Sequence, residues 1–105
     1  MTFATKIVFT FLLISVGTLT VFAQDLYDEQ FNYAKKFYEE ENYFDAVTEF
    51  KRLLFFDESG KYSYEANLLM GFSYKYGCKF SDALLHFSIA DMQARTTEEN
   101  YNCRI

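Results

Sequence analysis

The sequence predicts an all-α protein built as two antiparallel helix-turn-helix hairpins stacked into a short solenoid. Three observations carry that reading. The 105 residues contain no Pro and no sustained alternation of apolar and polar residues, the pattern a half-buried strand needs. Four segments instead place apolar side chains at three- and four-residue steps. Those segments also echo one another. Tyr33-Ala34-x2-Phe37 followed by Tyr43-x2-Ala46-x3-Phe50 returns 37 residues later as Met70-Gly71-x2-Tyr74 followed by Phe80-x2-Ala83-x3-Phe87. A helical pair repeated at a fixed period cannot bury its faces alone, so it stacks on its copy.

The first helix is expected from about Leu26 to Glu40, where Tyr27, Gln30, Phe31, Ala34, Phe37 and Tyr38 share one face. Asn42 interrupts the pattern and is the expected N-cap of the second helix. That helix, Tyr43 to Phe56, carries Tyr43, Ala46, Val47, Phe50, Leu53 and Leu54 on its stripe. So short a turn makes the pair an antiparallel hairpin. Asp57-Glu58-Ser59-Gly60-Lys61 is the clear loop. Ser63 is the expected N-cap of a third helix running to Tyr76, and Gly77 its expected stop. The fourth runs from Phe80 to about Ala94 with Phe80, Ala83, Leu84, Phe87 and Ala90 on one side. Thr96 and Glu99 stand at capping-box spacing and predict the start of a further helix, or a frayed tail, over 96–105.

Ahead of these helices, Met1 to Lys6 is a short leader with one positive charge, and Ile7 to Ala23 holds no charged residue. Val21-Phe22-Ala23 supplies the small residues a signal peptidase requires, so 1–23 reads as a signal peptide cut before Gln24. An uncleaved anchor is the alternative. The run of 17 residues includes four Ser/Thr and a Gly and falls short of the roughly 20 apolar residues of a spanning helix. The residue directly after the cut is Gln24 and not a Cys, which argues against a lipid-anchored form.

Without Lys6 the remaining chain has a net charge of −6 and no basic patch, which argues against nucleic acid or anionic lipid as a partner. Membrane contact is expected only if the N-terminal segment stays attached. The two cysteines, Cys78 and Cys103, lack the spacing and His partners of a zinc site. In an exported chain they could oxidise. Parallel third and fifth helices, however, would hold them on the order of 10 to 15 Å apart, so no bridge between them is expected.

Nothing in the residues assembles a catalytic constellation. His86, the single histidine, follows Asp82 by four residues, and the two read as an exposed pair on one helix face. Glu39-Glu40-Glu41 reads as a solvated turn. No phosphate loop, nucleophile elbow or HExxH motif is present. The sequence reads as non-enzymatic, with no catalytic, cofactor-binding or metal residues and no cofactor.

The doubled register resembles the tetratricopeptide repeat, a helix-turn-helix of about 34 residues with the pattern W-x2-L-G-x2-Y, then A-x3-F, then P. Here the units give Gln30-x2-Tyr33-Ala34-x2-Phe37 with Ala46-x3-Phe50, and Asn67-x2-Met70-Gly71-x2-Tyr74 with Ala83-x3-Phe87. The likeness spans about residues 27 to 94, as units of about 27–60 and 64–95 within a domain of 24–95. It departs where Gln30 and Asn67 replace the large ring, where Glu58 and Arg95 replace the closing Pro, and in the 37-residue period. Ala34, Gly71, Ala46 and Ala83 are expected to be small because the paired helices cross there. Phe37, Phe50, Tyr74 and Phe87 are the expected knobs between helices.

The resemblance implies a protein-protein interaction scaffold whose first helix of each unit lines a groove for a peptide or partner helix. Leu68, Phe72 and Tyr76 form a second stripe on the third helix. Phe31, Lys35 and Glu39 occupy the matching line of the first, with Tyr38 beside it. Phe31, Lys35, Tyr38, Leu68, Phe72 and Tyr76 are the candidate partner-binding residues. Self-association, or cover by a following repeat, is the other use of that stripe. An exported protein of a bacterial periplasm or envelope is the expected setting, with secretion the alternative. The competing functional reading is the N-terminal binding or regulatory segment of a longer enzyme or membrane-associated protein.

Overall fold

The computed structural model describes the backbone of residues 23–102 and side chains as far as Thr96. The signal-peptide reading of 1–23 (save its last residue) and the reading of Cys103 fall outside those residues. Four helices follow one another: α1 over 23–39, α2 Tyr43–Phe56, α3 Ser63–Tyr76 and α4 Phe80–Asn102. No strand occurs among the described residues. The all-α, two-hairpin architecture holds.

The 37-residue period reappears in the backbone. In the first turn, Glu40 N–H donates to Lys36 O at 3.0 Å, Glu41 N–H to Tyr38 O at 3.1 Å and Asn42 N–H to Phe37 O at 2.8 Å. In the second, Gly77 N–H donates to Ser73 O at 3.0 Å, Cys78 N–H to Lys75 O at 3.1 Å and Lys79 N–H to Tyr74 O at 2.8 Å. Each set of 6→1 and 5→2 bonds is a Schellman motif, which reverses the chain after a left-handed residue and satisfies the last carbonyls of a helix. The left-handed residues are Glu41 (φ 65°) and Cys78 (φ 62°), themselves 37 apart.

This closure corrects two sequence expectations. Gly77 has φ −82° and is not the left-handed stop of α3; Cys78 is. Gly77 is instead small because Phe44 leans on it: a Cβ there would lie 3.0 Å from Phe44 Cζ. Asn42 does occupy the N-cap position of α2 but makes no side-chain capping bond; it is its backbone N–H that serves the turn. Ser63 is likewise the first residue of α3 and not its cap; that position belongs to Tyr62. The Ser63 hydroxyl accepts from Gln93 Nε2 and ties the start of α3 to α4.

The hairpins are joined by residues 57–62. Asp57 Oδ1 accepts from Ser59 N–H at 3.0 Å and Ser59 Oγ at 2.6 Å, an Asx turn, and Gly60 takes φ 70°. One cluster forms the core: Phe31 and Ala34 of α1, Ala46, Val47, Phe50 and Leu53 of α2, Ala66 and Met70 of α3. It sits between the hairpins, so neither is a unit of burial by itself.

Two expectations for α4 fail. It runs 23 residues without a break to Asn102, so no new helix starts at Thr96. The Thr96 hydroxyl donates back to Met92 O at 2.9 Å, an ordinary i−4 bond inside a helix. Phe80 and Leu84, placed with Ala83 and Ala90 on the packing side, are 65% and 68% exposed, while Ala83 and Ala90 are buried.

Candidate protein-binding surface

The structure separates the six candidate residues. Phe31 is only 7% exposed. Its ring stacks on Tyr62 at 4.4 Å with an 11° interplanar angle and meets Phe50 at 5.9 Å. It is core, because the interhairpin loop folds Tyr62 back over α1, a contact no helical periodicity contains. Asp28 fastens the same loop by accepting from the Tyr62 hydroxyl and, at 3.2 Å, from Lys61 Nζ. Those two donors hold the Asp28 carboxyl below its ordinary value.

The other candidates remain at the surface. Lys35 is exposed, Tyr38, Leu68 and Phe72 are half-buried, and Tyr76 is 53% exposed. Three of them join a row of rings through all four helices. Tyr38 meets Tyr43 edge-on at 5.9 Å, Tyr43 meets Tyr76 at 5.2 Å, Tyr76 stacks near Phe72 at 6.3 Å, and Phe72 meets Phe87 edge-on at 5.0 Å. Tyr43 had been placed on the packing stripe of its helix; its ring is the link between the two units. Burial first, then the neighbouring Tyr76 and Tyr43, pushes the Tyr38 phenol up. Burial, Glu41 and Tyr76 do the same to Tyr43. Both therefore stay neutral O–H groups at physiological pH, suited to amphipathic contact.

The amides at positions 30 and 67 form equivalent clasps. Gln30 Nε2 donates to Glu49 Oε2 at 2.8 Å and to Glu49 O at 3.1 Å. In the second unit His86 Nδ1 lies 3.0 Å from Asn67 Oδ1. Positions 30 and 67, like 49 and 86, are 37 apart. A polar bond thus crosses each hairpin at the same register.

His86 is accordingly not an exposed partner of Asp82. It is half-buried, stacked on Tyr74 at 5.4 Å and 16°. Asn67 Nδ2 donates to Ser63 O at 2.8 Å, which leaves Oδ1 as the acceptor and His86 Nδ1–H as the donor. Burial and then Lys51 lower its pKa against the opposing pull of Asp82. Among the described residues no group of three or more His, Cys, Asp or Glu is placed to hold a metal.

Two open clefts also follow the period. One of about 540 Å³ is lined by Gly60, Lys61, Tyr64, Gln93 and Thr96 among others. The other, about 390 Å³, has Ala23, Gln24, Tyr27, Phe56 and Ser59 at the equivalent positions. Their recurrence marks them as the splayed free ends of the hairpins. They are products of the architecture, and within their linings Gln93 bonds to Ser63 and Ser59 to Asp57.

No protein-family model matches the chain, and no match to it was found among curated proteins or solved structures. No described helix is long and apolar enough to cross a membrane.

Proposed function

We propose that the chain is an exported protein-interaction scaffold of tetratricopeptide type, acting in a bacterial envelope compartment. One observation carries the reading: in the row Tyr38–Tyr43–Tyr76–Phe72, the ring of Tyr76 is held between Tyr43 and Phe72 and is 53% exposed. Large, stiff, amphipathic rings held by their neighbours give contact area at low entropic cost, as binding surfaces do. Glu39, Glu40 and Glu41 on one side and Lys75 and Lys79 on the other are all exposed and form a charged rim. The partner is another protein or peptide, engaged by a preformed surface. Export rests on the charge-free run over 7–23 and the small residues before Gln24.

The test is substitution of Tyr76 by Glu in the tagged full-length protein, recovered from the expressing cells with its bound partners. A partner retained by the parent and lost with Tyr76→Glu, at unchanged helicity, supports the surface. Equal recovery by both proteins removes it. Intact-mass analysis of the same material reads the export signal: a chain starting at Gln24 is expected. A chain retaining residues 7–23 in the membrane fraction would mean an anchor.

A further inference from the structure

Tyrosine hydroxyls are used in two ways in this fold. Those of Tyr27 and Tyr62 donate to Phe56 O and to the Asp28 carboxylate, and tie α1 to the end of α2 and to the loop beyond it. Those of Tyr38, Tyr43 and Tyr76 bond to none of the described residues; the three side chains are held through their rings. Neither the Tyr38 nor the Tyr43 oxygen is buried, and Tyr76 is 53% exposed. The row therefore presents aromatic faces together with O–H groups that no protein group satisfies.

A ligand that covers the row must give apolar surface to the rings and acceptors to the hydroxyls. Three modes of peptide recognition compete. A helix lays side chains into a groove, but its carbonyls already accept from its own N–H groups. An added strand needs a sheet edge, and the described residues form no strand. A polyproline II segment has no internal hydrogen bonds, so its carbonyls are free, and its proline rings pack on aromatic faces. Its conformation is largely set before binding, which lowers the cost of ordering it. The row also has a charged end. Burial and then Glu41 raise the Tyr43 phenol, so that carboxylate lies within electrostatic reach of the tyrosines, while Phe72 and Phe87 continue the row as plain hydrocarbon.

We propose that the row takes a proline-rich segment in the polyproline II conformation, lying along Tyr38, Tyr43, Tyr76 and Phe72 with a basic residue at the Glu41 end. The inference rests on the Tyr76 surface proposed above and names what that surface binds. The prolines stack on the rings, the hydroxyls of Tyr43 and Tyr76 donate to carbonyls of the segment, and its Arg or Lys pairs with Glu41 at the turn. Lys75 and Lys79, exposed on the other side of the rim, disfavour the reverse orientation.

Fluorescence anisotropy tests the proposal, with the full chain recovered from the expressing cells titrated into three labelled peptides. One is Arg followed by eight Pro, the second Glu followed by eight Pro, the third Arg followed by eight alternating Gly and Ser. The Arg-Pro peptide should bind at least about tenfold more tightly than the Gly-Ser peptide and several-fold more tightly than the Glu-Pro peptide, a gap that Glu41→Gln should narrow. Tyr43→Phe and Tyr76→Phe keep the rings and disturb no bond within the fold. Each should weaken binding of the Arg-Pro peptide by about three- to tenfold at unchanged helicity. Equal affinity for the Pro and Gly-Ser peptides, or no binding of either up to millimolar concentration, overturns the proposal. So does binding indifferent to both Phe substitutions, which would put the site elsewhere on the chain. A partner lost from the Tyr76→Glu protein while the Pro peptides fail keeps the surface and discards the polyproline ligand; a partner that Tyr76→Glu retains removes the surface itself.

Discussion

The ring of Phe87 rests on the bare Cα of Gly71: a Cβ on that glycine would stand 2.6 Å from ring carbons Cδ1 and Cε1. Real Cβ contacts are never so short, so the ring must move before any side chain can occupy position 71. In the first unit the matching pair is Ala34 and Phe50, both without exposure. The second hairpin therefore crosses more tightly than the first. Gly71→Ala should destabilise the fold by about 1–3 kcal/mol, the usual cost of forcing volume into a packed site, despite the helix propensity Ala adds. Urea unfolding measures it. Adding Phe87→Leu should recover part of the loss, and an unchanged midpoint for the single variant would show that the ring yields freely.

The left-handed turn residues give the opposite sign. Glu41 and Cys78 hold φ values of 65° and 62°, where a side chain costs about 1–2 kcal/mol and glycine none. Part of that gain is offset by the extra freedom glycine brings to the unfolded chain. Glu41→Gly and Cys78→Gly should each stabilise by about 0.5–1 kcal/mol, measured by urea unfolding. Loss of stability in either variant would mean that the side chain contributes more than its backbone costs.

His86 predicts a pH dependence. Its folded pKa lies below the ordinary value, from burial and from Lys51, so the unfolded chain takes up the proton first on acidification. Stability contributed by neutral His86 is complete above the unfolded value of about 6.5. It declines as pH falls from there through the lower folded value and is constant below it. His86→Gln keeps a side chain able to donate to Asn67 and should remove this segment of the curve. Urea midpoints of parent and variant between pH 8 and pH 4.5 provide the comparison. Parallel curves would show that His86 titrates alike in both states.

The hairpin clasps are testable by truncation. Asn67→Ala should cost about 1–2 kcal/mol, because it strands the His86 Nδ1–H in a half-buried site as well as losing the bond. His86→Ala combined with Asn67→Ala should cost less than the sum of the two singles. Strict additivity in thermal or urea unfolding would mean that the 3.0 Å contact carries no coupling.

Phe72 links the surface to the core. Its ring touches both Tyr76 and Phe87, and Phe87 in turn covers Gly71. Phe72→Ser should therefore lower stability by about 1–3 kcal/mol, whereas Tyr76→Ser, at the most exposed ring of the row, should stay within about 0.5 kcal/mol of the parent. Equal effects at the two positions would contradict the order of burial along the row.

By itself the sequence determined the helices, their pairing into hairpins, the 37-residue register and the need for small residues at 34, 46, 71 and 83. These are local or periodic properties: a side chain's place on a helix follows from 3.6 residues per turn, and a short turn forces an antiparallel neighbour. The tertiary structure decided which stripes are covered. Phe31 is buried because Tyr62, in a loop 31 residues away, folds over it. Phe80 and Leu84 are open because no described residue does for α4 what α3 does for α2. His86 looked paired with Asp82, its neighbour along the helix, until the hairpin brought Asn67 across. The left-handed residue of each turn, Glu41 and Cys78, was equally hidden, since the Schellman bonds impose that conformation on whichever side chain stands there. Periodicity assigns a residue to a face of its own helix; only the position of the next element settles whether that face meets protein or water.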